Sequence, residues 1–253
     1  MLYGGHVNNP GDIDFLRENT FDFGEVILRN SDSRSFWGES NVCNPLDSGF
    51  FLLAHGPREG PPNNVKSLWN NYYPALQETV DLAQRMGIGY LTVHLWTDPR
   101  FVWSSVLKEK KQILRELVAY GQARRVAIGL ENLSENYLDL AAVLEAVPGL
   151  GITLDVGHGQ LLTETNTSFD IIDRLADSIR HVHLHDNRGG QGVLDDLHLP
   201  IGEGIVEIPR ILKALVNKGY DGTLCFELKN DVIGASCARV RAIIRYLNEP
   251  NSP

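Results

Sequence analysis

Short apolar runs recur along the chain, and most are followed by a segment whose apolar residues fall three and four positions apart. Read as strands, the runs are Leu2–His6, Gly24–Leu28, Phe50–His55, Gly89–His94, Ala127–Glu131, Gly151–Asp155, Arg180–His185 and Thr223–Glu227. The helical period occupies Lys66–Met86, Ser105–Gly121, Glu135–Val147, Ser168–Asp177, Glu207–Lys218 and Val232–Asn248. In the first of these, Leu68, Tyr72, Ala75, Leu76, Thr79, Leu82 and Ala83 share one face. Gly87, Gly121, Gly149 and Gly219 stand where helices should stop. Eight strands alternating with helices predict a parallel sheet with helical crossovers, closed as a single-domain (β/α)8 barrel over residues 1–253. Asn30–Asp47, rich in Ser, Asn and Asp, shows no clear helix and reads as a long loop. Pro61, Pro62, Asn63 and Asn64 form another loop that leads into a helix.

The chemistry lies in how the runs end. FLLAH ends in His55, YLTVH in His94, AIGLE in Glu131 and GITLD in Asp155, with His158 just beyond. HVHLHD carries His181, His183, His185 and Asp186, and LCFE ends in Glu227. In a parallel barrel the C-terminal ends of the strands converge on one face, which carries the active site. Residues from distant parts of the chain therefore meet in one pocket. Carboxylates gathered there repel one another, and a divalent cation relieves both that repulsion and the cost of burying them. Oxygen and imidazole donors without sulfur suit zinc, manganese, cobalt or iron. Asp196 and His198 add a D-x-H pair after the seventh strand, followed by the turn Pro200, Ile201, Gly202, Glu203, Gly204.

Composition narrows the partners. A net charge of −9 argues against nucleic acid as the main partner, because phosphate binding draws on Lys and Arg. Cys43, Cys225 and Cys237 are too few and too scattered for a disulfide framework or a zinc finger, which points to a reducing, cytoplasmic compartment. The opening MLYGGHV has no basic stretch leading into an apolar run, so a secretory signal is not expected. No run is long enough for a membrane helix. The oligomeric state is not legible.

The segments LTVH, IGLENL, ITLDVGH, HVHLHDN, DLHLPIGEG and CFELK, in this order, resemble the xylose-isomerase-like TIM-barrel superfamily. That group includes sugar and sugar-phosphate isomerases and epimerases, and endonuclease IV. The resemblance to endonuclease IV implies nine ligands for up to three ions at His55, His94, Glu131, Asp155, His158, His183, Asp196, His198 and Glu227. The opening GGHVNNPG is similar to that enzyme's first strand and loop. The epimerase branch implies one ion, Zn2+ or Mn2+/Co2+, on Glu131, Asp155, His183 and Glu227, with the two glutamates as acid and base. Where DNA-cleaving relatives carry a tyrosine after the third strand, this chain has Arg58.

Two chemistries follow. A sugar or sugar-phosphate isomerase or epimerase would use Glu131 and Glu227 to move a proton, with His94 and His158 orienting hydroxyls, Arg188 binding a phosphate or anomeric oxygen, and Trp96 packing on the sugar. An endonuclease IV-like phosphodiesterase would use two or three ions to clamp the attacking and leaving oxygens. A metal-dependent barrel that has lost catalysis and only binds a sugar or a partner is the third reading, opposed by the intact Glu131 and Glu227 pair.

Other residues are expected to have plainer roles. His6 reads as a structural histidine, and His185 and Asp186 as supports behind the ligands. Asp195 reads as a cap or loop charge, Gly202–Gly204 as a turn and Cys225 as a small buried residue. Lys108, Glu109, Lys110 and Lys111 read as a solvated helix face, and Trp69 and Trp103 as packing residues.

Overall fold

The computed structural model describes residues 1–40, 42 and 49–249. Its strands are β1 (Leu2–Val7), β2 (Phe23–Ile27), β3 (Phe51–His55), β4 (Tyr90–Val93), β5 (Ala127–Glu131), β6 (Gly151–Asp155), β7 (Ile179–Leu184) and β8 (Thr223–Phe226). Each pairs in parallel with the next, and β8 closes on β1. The eight main helices are α1 (Pro10–Glu18), α2 (Ser31–Glu39), α3 (Tyr73–Arg85), α4 (Ser104–Gln122), α5 (Tyr137–Ala146), α6 (Ser168–Leu175), α7 (Ile208–Asn217) and α8 (Asn230–Leu247). The expected (β/α)8 barrel is therefore what the chain forms. A short turn, Val65–Ser67, and a π-helical turn, Leu68–Tyr72, run directly into α3.

Two helices escape a reading based on apolar period alone. α1 begins at a capping box, where the Asn9 side chain accepts from a backbone N–H of the first turn while Asp12 reaches back to the cap, and Pro10 is pre-set for the first helical position. α2 lies in the segment expected to be loop. Asn30 caps it, Ser33 closes the box, and Trp37 alone is buried against the core. A helix that buries one side chain leaves almost no periodic signal. The rest of the expected loop, with Cys43, falls largely outside the described residues. Gly87, Gly149 and Gly219 do end helices, with φ of 73°, 89° and 76°. Gly121 does not. It lies inside α4, where a Cβ would come within 2.5 Å of the Val126 carbonyl oxygen, and its value is close packing onto β5.

The aliphatic core fills the layer between strands and helices. The barrel axis is filled differently. Phe23, Leu53 and Cys225, with Phe51 and Tyr90 against them, plug the N-terminal end. Above that plug the inward side chains become polar. Thr92 and Thr153 hydroxyls lie 3.0 Å apart, and His181 Nδ1 is 2.6 Å from Thr223 Oγ1. This polar layer supports the C-terminal mouth. Among the described residues, no helix is long and apolar enough to cross a membrane.

Candidate metal centre

Strand alternation sends His181, His183 and His185 to the same side, and the closed barrel makes that side the axis. The nine positions singled out at the strand ends all arrive at the mouth. Glu131 ends β5 with no exposed surface. Its Oε2 is 2.5 Å from His94 Nε2 and 3.2 Å from His55 Nε2, and its Oε1 is 3.2 Å from His158 Nδ1 and 3.3 Å from His183 Nδ1. The same His183 nitrogen lies 2.9 Å from Glu227 Oε1 and 3.9 Å from Asp155 Oδ2. Glu131 and Glu227, from strands five and eight, thus meet at one imidazole nitrogen. On the outer side, Asp196 Oδ2 is 3.3 Å from His158 Nε2 and 3.0 Å from His198 Nε2, and His198 Nδ1 is 3.2 Å from Glu227 Oε2.

Local structure fixes these groups. Asn132, next after Glu131, clamps β6 with its amide: its Nδ2 donates to the Asp155 carbonyl and its Oδ1 accepts the Asp155 N–H. Asp155 Oδ1 in turn accepts the His158 N–H at 2.7 Å. Gly157 lets the His185 ring into the cluster, since any Cβ there would collide with it. His198 has φ 46°, a left-handed backbone that costs energy in a non-glycine residue and recurs at functional sites. Asp186 gathers the Asn187, Gly202 and Val206 N–H groups, tying the loop after β7 to the turn at Gly202.

Burial opposes charge on Glu131, Glu227, His158, His183, His6 and His94, and attraction between neighbours overrides it for all but His94. Burial would raise the carboxyls of Glu131 and Glu227, but His94 and His183 hold the first well below the usual range, and His6 and His183 the second. Burial would lower His158, yet Asp155 and Asp196 hold it well above its ordinary value. The same opposition leaves His183 raised by Glu25 and Glu227, and His6 pushed up to about 9 by Glu227. For His94 burial wins, and its pKa falls. A divalent cation would compete with protons for the same nitrogens.

The donor set fits a divalent cation. Glu131 Oε1 and Glu227 Oε1 are buried without a well-aligned hydrogen-bond partner, and both face His183 Nδ1, itself without one, at 3.3 and 2.9 Å. His55, Glu131, His183 and Glu227 bring one donor atom each within 4.8 Å of one another, as do Glu131, Asp155 and His158, and as do His158, His185, Asp196 and His198.

Several expectations change. His185, expected behind the ligands, offers Nε2 at 3.0 Å from Asp155 Oδ1 and belongs to the outer donor group. His6, read as structural, puts Nε2 2.9 Å from Glu227 Oε1. Glu25 was absent from the candidates, yet it is fully buried beneath His183. A lone Glu inside the apolar run FGEVI was the available signal. Arg188 is exposed and lines neither of the cavities at the mouth. The arginine that lines both is Arg58. Lys110 is no part of a solvated face. It is fully buried, with Nζ 2.8 Å from Glu59 Oε2 and donating to the Trp96 carbonyl at 2.6 Å. Trp103 is exposed, whereas Trp69 is half-buried and donates to Glu109. Asp195 is a loop charge, accepting from Gln191 and Gly192 N–H groups, and Cys225 is buried.

Two cavities open over the donors and share Arg58 and Asp196. One, of about 390 Å3, has Trp96, Phe101, Leu133, Leu161 and Leu162 on its wall and His94 and His158 on its floor. The other, of about 840 Å3, is polar and includes His6, Asn8, Arg29, His198, Glu227 and Lys229. Trp96 is held rigidly: its N–H donates to Glu59, its Nε1 to Ser134 Oγ, and its ring stacks on Phe101.

Residues 47–249 match the model of a family described as xylose isomerase-like TIM barrel. Fructoselysine 3-epimerase of Shigella flexneri is 25% identical over 185 residues, 68% of this chain and 58% of that protein. A probable endonuclease 4 of Thermosipho melanesiensis is 24% identical over 214 residues, 77% of this chain and 71% of that protein. The crystal structure of a D-tagatose 3-epimerase-like protein superposes with a TM-score of 0.76 at 23% identity, covering 98% of this chain and 99% of the other. The chain spans about half to three-fifths of the length of several curated relatives that it matches.

Proposed function

The chain belongs to the xylose isomerase-like TIM-barrel family, and from that premise we propose that it is a divalent-metal-dependent isomerase or epimerase of a sugar or sugar phosphate. The observation that carries this reading is the meeting of Glu131 and Glu227 at His183, in the mouth of a barrel whose cavities are of small-molecule size. Glu131, Asp155, His183 and Glu227 would hold the cation. When bound, it would polarise the carbonyl and hydroxyl oxygens of the substrate as a Lewis acid. One glutamate takes the proton from the carbon beside the carbonyl and the other returns one, each through an oxygen facing the substrate. His94 and His158 line the smaller cavity and orient hydroxyls, and Trp96 offers its ring face. The similarity to a fructoselysine 3-epimerase supports a sugar-like substrate.

A second reading, phosphodiester hydrolysis, is favoured by one specific feature. A single cation needs four of these donors, yet His158, His185, Asp196 and His198 form a further group, and His55 and His94 flank Glu131. Such a surplus suits two or three ions clamping the attacking and leaving oxygens, and the similarity to a probable endonuclease 4 agrees with it.

A paired assay separates the two. The metal-loaded protein is incubated in D2O with a panel of ketoses and ketose phosphates, and in parallel with a duplex containing an abasic site. Deuterium entering the sugar without strand cleavage is the expected result. Cleavage without deuterium uptake overturns the first reading in favour of the second.

A further inference from the structure

Glu25 has no part in either chemistry, yet it is an ionisable group at the centre of the barrel. It stands in the middle of β2, in register with His6 on β1, with no exposed surface. Among the described residues, no Lys or Arg lies within ion-pair distance of it. Its neighbours are imidazoles, a hydroxyl and a thiol: His183 Nε2 at 3.0 Å and His6 Nε2 at 3.6 Å from Oε2, His181 Nε2 at 3.6 Å from Oε1, the Thr92 hydroxyl donating to Oε1 at 3.1 Å, and Cys225 Sγ within 4.8 Å of one of its oxygens.

The His183 ring joins two different environments. Its Nδ1 faces Glu227, Glu131 and Asp155, while its Nε2 faces Glu25. We propose that Glu25 is a positioning residue: its carboxylate takes the Nε2–H of His183 and so presents the Nδ1 lone pair to a cation held by Glu131, Asp155 and Glu227. An imidazole that gives one nitrogen to a cation must place its single proton on the other, and that proton needs an acceptor. Among the described residues, Glu25 is the carboxylate that faces it. His183 Nε2 and Glu25 Oε2 are close but off the line of a good hydrogen bond, and both are buried without an aligned partner. The negative charge behind the ring also makes Nδ1 a stronger donor. Thr92 keeps the carboxylate from turning away, since its hydroxyl holds the other oxygen and is itself 3.0 Å from Thr153 Oγ1.

The inference rests on the reading that His183 helps to hold a cation, and its test keeps the two apart. Co2+ is titrated into the metal-free protein and into Glu25→Gln against a chromophoric chelator, and both are checked for fold by circular dichroism. Glu25→Gln keeps the shape and an acceptor but removes the charge, and its Co2+ affinity is expected to fall roughly 10- to 100-fold with the number of ions unchanged. Equal affinity in both proteins overturns the role of Glu25 alone. A parent that takes up no Co2+ sinks the cation reading and this one with it. A variant that loses a whole ion makes Glu25 a ligand and overturns the positioning role. Should the variant fail to fold, histidine 15N spectra of the Zn2+-loaded parent decide. His183 is expected to carry its proton on Nε2, slow to exchange, and a proton on Nδ1 refutes the proposal.

Discussion

Replacing Lys110 by Met tests whether the wall of the mouth is set from behind by a buried charge. Lys110 lies on α4 with no exposed side-chain surface, and Glu59, its partner from the loop after β3, is 8% exposed. Burial pushes the Lys110 pKa down and the Glu59 pKa up, so both ends bear a desolvation cost that only their pairing offsets. Lys110 also donates to the Trp96 carbonyl, and Glu59 accepts the Trp96 N–H at 2.7 Å, so one pair joins the loops after β3 and β4. Met fills most of the lysine stem but leaves a buried carboxylate unpaired. The expected loss is about 3–5 kcal/mol, since breaking a buried pair from one side exposes its full desolvation cost. For a chain of this size that is a drop in Tm on the order of 10 °C in a thermal scan. Adding Glu59→Gln to the same protein should recover at least about 1 kcal/mol, because the stranded charge is gone. A Lys110→Met protein within roughly 1 kcal/mol of the parent, with no recovery in the double variant, would refute the reasoning.

Glu131→Gln and Glu227→Gln should each lower turnover by roughly 10²-fold or more while leaving the circular dichroism spectrum unchanged, and near-parental turnover in either would remove that glutamate from the proton path. The metal-free protein should lose stability as pH rises from about 7 to 10. His6 is raised from 6.5 to about 9, so its contribution is complete below pH 6.5 and is lost as pH passes 9. Its size is on the order of 3 kcal/mol, and a cation that replaces the protons should flatten the drop in thermal scans. Replacing Asp196 by Asn together with His198 by Ala should leave the Glu131, Asp155, His183 and Glu227 group able to bind one ion. Metal analysis that finds the same content as a multi-ion parent would count against the outer donor group.

The barrel was legible because burial on both sides turns its strands into unbroken apolar runs, and because polar residues end those runs where the mouth begins. β5 and β6 fall on their expected bounds, and the others differ by a residue or so at their ends. The helices that were not legible are α1 and α2, where caps rather than apolar period define the element. Within the mouth, strand-end residues could be placed because the chain direction there is set by the sheet. Arg188 could not, since the direction of a loop side chain depends on packing that no local pattern records. Lys110 and Glu25 illustrate the opposite error. Lys110 sits in a charged run that suggests solvent and Glu25 is a lone charge in an apolar run, and each is buried with a partner more than 40 positions away, Glu59 and Thr92 respectively. His185 was legible as an inward residue but not as a donor, because the step from one ring to the next along β7 changes its depth in the barrel and hence its partners.

The central claim is that strand ends far apart in sequence hold a divalent cation together. A crystal grown with Zn2+ or Mn2+ and measured at the metal's absorption edge tests it directly. An anomalous peak in contact with Glu131, Asp155, His183 and Glu227 is the predicted result. Well-ordered density for those four side chains with no metal peak among them would contradict it.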